Sequence, residues 1–149
     1  MLKKFKLSFD AWGLILFLII MIPNFIWFAV PAPNDILRSD SITGTLDTVA
    51  YLFQVLMIVA LCILKNRECN KICVNPFVIL ISSCCLLYFF SWIAYYNSIV
   101  NAIVILGLTI FPCLAFLFFS IDRKNWIALI PASLFTICHL IYAIANFII

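Results

Sequence analysis

The sequence predicts an all-α polytopic membrane protein, an antiparallel bundle of five transmembrane helices in a single domain. Of its 149 residues, 67% are hydrophobic and only 10% are charged, whereas an average soluble domain is about 25% charged. The mean hydropathy is +1.24. Five stretches each supply the roughly 20 apolar residues that a spanning helix needs. The connections between them are short, so neighbouring helices are expected to run antiparallel.

The five predicted spans follow one another along residues 1–149 and contain no Lys, Arg or Glu in their middles. Asp10, Asp47 and Asp122 fall at span ends, where we expect lipid head groups to hydrate them. The longest connection runs from Pro31 to Thr45. The spans are 9–30, 46–64, 76–96, 101–121 and 125–149.

The basic residues predict the orientation of the bundle. If the spans alternate, Arg38 is alone on one side and eight basic residues lie on the other. The positive-inside rule then places the N-terminus in the cytoplasm and the C-terminus outside, in a cell (plasma) membrane. The eight residues are Lys3, Lys4, Lys6, Lys65, Arg67, Lys71, Arg123 and Lys124.

Aromatic residues near the span ends agree with this orientation. Trp12 and Trp126 are expected at the cytoplasmic interface, and Trp27, Trp92, Tyr95 and Tyr96 at the outer interface. Trp and Tyr are enriched at both membrane–water interfaces.

The seven cysteines predict neither disulfides nor a metal site, because all lie within spans or on the cytoplasmic side. Cys69 and Cys73 are spaced Cys-x3-Cys, but a zinc site would need two further ligands nearby. Free thiols in a reducing compartment are expected. No metal and no cofactor is predicted.

The stretch "MIPNFIWFAVPAPND", residues 21–35, ends the first span and raises the question of a cleaved signal peptide. The apolar run before it is about 20 residues long, whereas signal h-regions are about 7–15. Pro31 and Pro33 stand where a cleavage site would need small residues. We therefore predict an uncleaved span. Pro23 is expected to kink it, and Asn24 either ties the local backbone or lines a cavity opened by the kink.

Polar side chains within the spans gather on helix faces that we expect to point into the bundle. In the fifth span, Ala128 and Ala132 share a face with His139 and Asn146 at about 100° per residue. Threaded by the predicted topology, most of the polar residues fall in the outer half, and the inner half is drier. They form a candidate ligand-binding cavity comprising Asn24, Asp47, Tyr51, Gln54, Tyr88, Ser91, Tyr95, His139, Tyr142 and Asn146.

His139 is the only histidine and permits two interpretations. As a structural residue, a neutral imidazole would hydrogen-bond to Gln54 or a tyrosine and hold helices together. As a functional residue, it would contact a ligand or relay a proton.

The stretch 21–35 together with "RSDSIT" at 38–43 is similar to segments of small uncharacterised multi-pass membrane proteins of low-GC Gram-positive bacteria. That resemblance implies a membrane location and no particular activity. In size and span number the chain also resembles the TspO family, which binds porphyrins and sterols, but the Trp/Pro-rich first loop and the Trp-rich later helices of that family are absent.

Three functions are consistent with these features. The first is a non-enzymatic binding or transport-accessory protein whose outer-half cavity takes a small amphipathic ligand. The second is a partner subunit or immunity-type protein that packs against another membrane protein through small-residue faces. The third, an intramembrane enzyme, lacks a recognisable nucleophile–base pair. The lipid bilayer is the expected surrounding, nucleic acid is not an expected partner, and the oligomeric state is not predicted.

Overall fold

The computed structural model describes residues 5–67 and 75–149, and its five long helices confirm the predicted all-α five-helix bundle. Each helix is long and apolar enough to cross a membrane, so the chain is a multi-pass membrane protein. Cys69, Cys73, Lys3, Lys4 and Lys71, on which sequence predictions rest, lie outside the described residues. The helices are α1 (Ala11–Ala29), α2 (Gly44–Ile63), α3 (Pro76–Tyr96), α4 (Ala102–Asp122) and α5 (Trp126–Phe147).

Four of the helices begin at a side chain that caps the first turn. Such caps matter in a membrane because free backbone N–H groups have no water to bond. In each case a side-chain oxygen accepts from a backbone N–H two or three residues later. The pairs are Asp10 with Trp12 (3.2 Å), Asn75 with Val78 (2.9 Å), Asn101 with Val104 (2.9 Å) and Asn125 with Ala128 (3.1 Å).

A short antiparallel ribbon, which the sequence did not predict, joins the start of α1 to the end of α2. Strand β1 (Phe5–Leu7) pairs with strand β2 (Leu64–Asn66). We call this end of the bundle the ribbon end. The opposite end carries residues 30–43 and 97–101 together with the end of α5, and we call it the loop end.

α4 is the central helix. Of its span 56% is buried, against 22–28% for the other four. It packs between α3 and α5, and α5 packs in turn against α2. Close approach of α3 and α4 depends on Gly107, where a Cβ would collide with the Ser91 hydroxyl.

α1 packs less extensively than the other helices and crosses the bundle diagonally. Near the ribbon end it lies on α2, where a Cβ at Gly13 would come within 2.8 Å of the Leu61 carbonyl oxygen. Towards the loop end it instead contacts α3, through a 2.8 Å hydrogen bond from Asn24 to Tyr88. α1 and α2 therefore diverge as they approach the loop end.

The ribbon end contains a buried ion pair that the sequence reading missed. Asp10 was expected to be hydrated by head groups, but it is 4% exposed and accepts from Arg123 at 2.7 and 3.1 Å. Arg123, counted as an interfacial charge, is itself 5% exposed. Nearby, the Asn125 amide donates to two carbonyl oxygens at the end of α2. These side chains form a polar cluster at the helix ends, which the sequence did not predict.

The expectation for the interfacial aromatic residues is met only in part. Trp12 and Trp126 are 51% and 55% exposed near the ribbon end, as interfacial residues should be. Trp92 and Tyr95 are 5% and 0% exposed. Both lie near the loop end of α3, as predicted, but their side chains pack inside the bundle instead of on its surface.

Candidate functional site

The divergence of α1 from α2 leaves a cavity of about 610 Å³ that extends from the loop end to just past the middle of the bundle. Ligand pockets typically enclose about 300–1,000 Å³. All five helices contribute to its wall, and Leu37 of the α1–α2 loop closes it from the loop end. Seven of the ten candidate residues line it, namely Asn24, Asp47, Tyr51, Gln54, Tyr88, His139 and Tyr142.

An aromatic stack on α5 presents His139 to the cavity. The His139 ring lies 5.0 Å from the Phe135 ring at an interplanar angle of 17°, and 6.0 Å from the Tyr142 ring at 4°. All three rings line the cavity. The spacing of three and four residues places them on one side of the helix, so the imidazole is held by ring contacts along α5.

Neither His139 nor Gln54 has a hydrogen-bond partner among residues 5–67 and 75–149. The anticipated bond from His139 to Gln54 or to a tyrosine is therefore not formed. Both side chains are half-buried, and polar groups away from bulk water usually have partners. These two side chains consequently present free hydrogen-bonding capacity at the cavity wall.

Asn24 and Tyr88 also line the cavity, but they bond to each other. The Asn24 amide donates to the Tyr88 hydroxyl at 2.8 Å and to the Ile20 carbonyl at 3.0 Å. The Asn24 side chain thus bonds its own helix and also reaches the cavity wall. It bonds the Ile20 carbonyl, however, and not the Ile19 carbonyl that Pro23 deprives of a donor. α1 continues through Pro23.

Asp47 is the one charged side chain that lines the cavity among the described residues. Its carboxylate accepts hydrogen bonds from the hydroxyls of Ser41 and Thr43, the latter at 2.8 Å. Asp47 thus stabilises the start of α2, and its side chain also lines the cavity.

Asn146 lies outside the cavity wall and joins α5 to the loop. Its amide donates to the Thr43 hydroxyl at 2.8 Å, and its side-chain oxygen accepts from the Ile42 N–H at 2.8 Å. These contacts fasten the second part of the loop to α2 and α5.

Tyr95 also lies outside the cavity wall and fastens the first part of the loop. The Asp35 carboxylate accepts from the Tyr95 hydroxyl and the Trp27 indole, each at 2.9 Å, and from Arg38 at 2.9 Å. Arg38 also donates to the Trp27 carbonyl at 2.6 Å and lies over the Trp27 ring. The loop is thus bonded to α1 and α3 on one side and to α2 and α5 on the other. Its Leu37 lines the cavity at the loop end.

Asp35 is held ionised by this network. Burial would raise the pKa of its carboxyl, but the hydrogen bonds from Trp27 and Tyr95 and the charge of Arg38 outweigh that effect and lower the pKa below its ordinary value of 3.8. The loop therefore depends on a charged Asp35.

Ser91, the third candidate outside the cavity, packs against Gly107 of α4 and donates to the Leu87 carbonyl at 2.9 Å. Its hydroxyl is satisfied within its own helix. The helical face on which the sequence placed it meets a neighbouring helix directly.

The sequence reading missed that Trp92 belongs to the cavity wall. Its ring meets Tyr88 and Tyr95 edge-on, with centroids 6.3 and 5.8 Å apart. Its buried indole N–H lacks a partner in the described part of the chain. The spacing 88, 92, 95 marks a single helical face, so this aromatic row was detectable.

The cavity reaches the surface sideways. Phe28 of α1 and Tyr51 of α2 line it and are 64% and 68% exposed. They flank the gap left where α1 turns from α2 towards α3. Both residues belong to membrane-spanning helices, Phe28 one residue before the end of α1 and Tyr51 in the second turn of α2.

No cluster of three or more His, Cys, Asp or Glu side chains that could hold a metal ion is found within residues 5–67 and 75–149.

No protein-family model, curated protein or solved structure matches this chain.

Proposed function

We propose that this membrane protein is a non-enzymatic binding or transport-accessory protein whose cavity accepts a small, partly apolar molecule. The observation that carries the proposal is the cavity of about 610 Å³, lined by His139 and Gln54 with no hydrogen-bond partner among the described residues. A largely apolar pocket with a few convergent polar groups is the usual form of a ligand site.

The polar groups of His139 and Gln54 support ligand binding, because leaving them without any hydrogen-bond partner is unfavourable. If the cavity holds no water, an imidazole or amide without a partner costs about 1–3 kcal/mol. A residue retained only to join helices would bond across the bundle, as Asn24 bonds Tyr88. His139 and Gln54 make no such bond, which is the arrangement expected of groups that bond a guest molecule.

The cavity supports binding better than it supports the two alternatives. A partner subunit was inferred from the small-residue face of α5, but Ala128 and Ala132 are 0% and 1% exposed, so that face is covered within the bundle. An enzyme would need a base aligned with a nucleophile. Within the described residues His139 bonds no carboxylate or hydroxyl, which argues against such a pair.

The location follows from the basic residues. Among the described residues, five basic side chains lie at the ribbon end, namely Lys6, Lys65, Arg67, Arg123 and Lys124, and Arg38 alone lies at the loop end. We propose that the ribbon end is cytoplasmic and that the protein resides in the plasma membrane. The cavity then lies mainly in the outer half of the bilayer.

Four C18 probes with one shared chain test the binding function, namely monoolein, oleyl alcohol, oleylamine and oleic acid. We expect at least one to raise the unfolding midpoint of the purified protein saturably and to bind at 1:1 in native mass spectrometry. His139→Phe keeps the ring stack and Gln54→Leu keeps the volume, so each should stay within about 1.5 kcal/mol of the parent stability. Each should weaken probe binding about ten-fold.

Asn146→Leu is the matched control, because it removes an amide that lies outside the cavity. We expect it to lower stability by about 1–3 kcal/mol through the lost loop contacts, with the probe-induced shift unchanged. If no probe binds, the proposed function is wrong. If His139→Phe and Gln54→Leu unfold the protein, their polar groups are structural.

A further inference from the structure

We propose that the cavity takes a single-chain amphiphile that enters from the bilayer between α1 and α2, carries an uncharged or cationic hydrogen-bonding head group, and is selected against anionic head groups. This assignment rests on the proposed binding function and specifies its ligand class. It follows from three features of the cavity, which are its opening, its polarity gradient and its charge.

The opening lies where a lipid-borne molecule can reach it. At the ribbon end α1 contacts α2 at Gly13 and Leu61, and at the loop end Leu37 of the fastened loop lines the cavity, so we infer that both ends are covered. Between these closures, the exposed Tyr51 and Phe28 flank the gap. Both closed ends face the aqueous sides, so entry from the hydrocarbon is the open route.

The cavity has an apolar far end and a more polar end near the loop. At 1.5 Å per residue, Phe17 and Phe116 lie about 20 Å along their helices from the loop end, whereas Asp47 lies about 5 Å and Gln54 about 15 Å from it. Polar groups come mainly from α2 and α5, while α1 and α4 contribute mostly aliphatic and aromatic side chains. A molecule with one polar head and one chain matches this gradient.

The charge of the cavity argues against an anionic head. Asp47 lines the wall, and no cationic side chain among the described residues does so. The nearby cation at the loop end, Arg38, is bound to Asp35 and to the Trp27 carbonyl oxygen. A carboxylate or phosphate would be desolvated beside Asp47 without a counter-charge, which is strongly unfavourable. Hydroxyl and ammonium heads avoid this cost and can bond Gln54 or Asp47.

A head-group series at constant chain tests the selectivity at pH 8 on the purified parent protein. We expect monoolein and oleylamine to bind at least ten-fold more tightly than oleate. Free glycerol, which carries the head of monoolein without the chain, should give no shift at the same concentration. Removing the charge with Asp47→Asn should reduce the discrimination against oleate about ten-fold, and Asp40→Asn, on an exposed residue of the same loop, should leave it unchanged.

The outcomes distinguish a failure of this inference from a failure of the proposed binding function. Oleate binding as tightly as monoolein in the parent protein overturns the charge selection while leaving the binding function intact. Glycerol binding as tightly as monoolein overturns a membrane-borne chain as the ligand. If none of the probes binds, both proposals are wrong. The parent-protein series decides these points even if Asp47→Asn proves unstable.

Discussion

Polar side chains in this bundle are of two kinds, and their partners distinguish them. Asn146 and Tyr95 are fully engaged in holding the α1–α2 loop, whereas His139 and Gln54 line the cavity without a partner in the described residues. Helical spacing placed all four on inward faces. Spacing could not tell a connecting residue from a lining one, because the difference depends on the path of a distant loop.

Asp35 provides a residue-level prediction about acid stability. Its pKa is lowered in the folded protein, so the folded state binds the proton less readily than the unfolded chain. The stability it contributes is fully present above the unfolded value near 3.8 and is lost as the pH falls towards the lowered folded value. We expect Asp35→Asn to lose about 1–3 kcal/mol at pH 7 and to be less sensitive than the parent to acidification from pH 5 to pH 3.

Unfolding in detergent across this pH range measures the effect. Asp40→Asn is the control, because Asp40 is exposed on the same loop and its variant should follow the parent curve. An Asp35→Asn curve parallel to that of the parent would show that the loop network does not depend on this charge.

At the scale of elements, the path of α1 creates the site. α1 lies on α2 at Gly13 and on α3 at Asn24, and the cavity occupies the wedge between α1 and α2. The two-stranded ribbon and the polar cluster of Asp10, Arg123 and Asn125 hold the helices together at the ribbon end, where the gap between α1 and α2 is narrowest. Three-residue strands have no periodicity that a sequence pattern could detect, so this ribbon was not predictable.

The Asp10–Arg123 pair strengthens the packing at the ribbon end by joining the start of α1 to the end of α4. Both side chains are about 5% exposed, and removing one member of a buried pair costs about 3–5 kcal/mol. We expect Arg123→Ala to lose stability in this range. The double variant Asp10→Asn/Arg123→Ala should lose less than the sum of the two single variants.

Arg67→Ala is the control for that cycle, because Arg67 is exposed at the same end and surface substitutions usually change stability by about 0.5 kcal/mol or less. Strict additivity of Asp10→Asn and Arg123→Ala in thermal or denaturant unfolding would show that the pair contributes no coupling energy.

For the whole molecule, the orientation in the membrane is the prediction with the widest consequences, since it decides which side the cavity serves. In a Cys69→Ser/Cys73→Ser background, we expect Asp40→Cys to react with a membrane-impermeant maleimide on intact cells. Arg67→Cys should react only after permeabilisation. Both positions are exposed and lie at opposite ends of the bundle.

The background without added cysteine should label weakly in both conditions, because the five cysteines among the described residues lie within the helices. The reverse pattern, with Arg67→Cys labelled on intact cells, would place the cavity in the cytoplasmic half and contradict the positive-inside assignment.

The sequence by itself determined the five helices, each end within two residues of the predicted span, because the hydrocarbon thickness and the absence of charge fix a span locally. It also identified most of the polar residues that line the cavity. Only the tertiary structure decided which of them are free, where α1 leaves α2, and that Asp10 and Arg123 are buried together. These features depend on contacts between residues far apart in the chain, which no local pattern encodes.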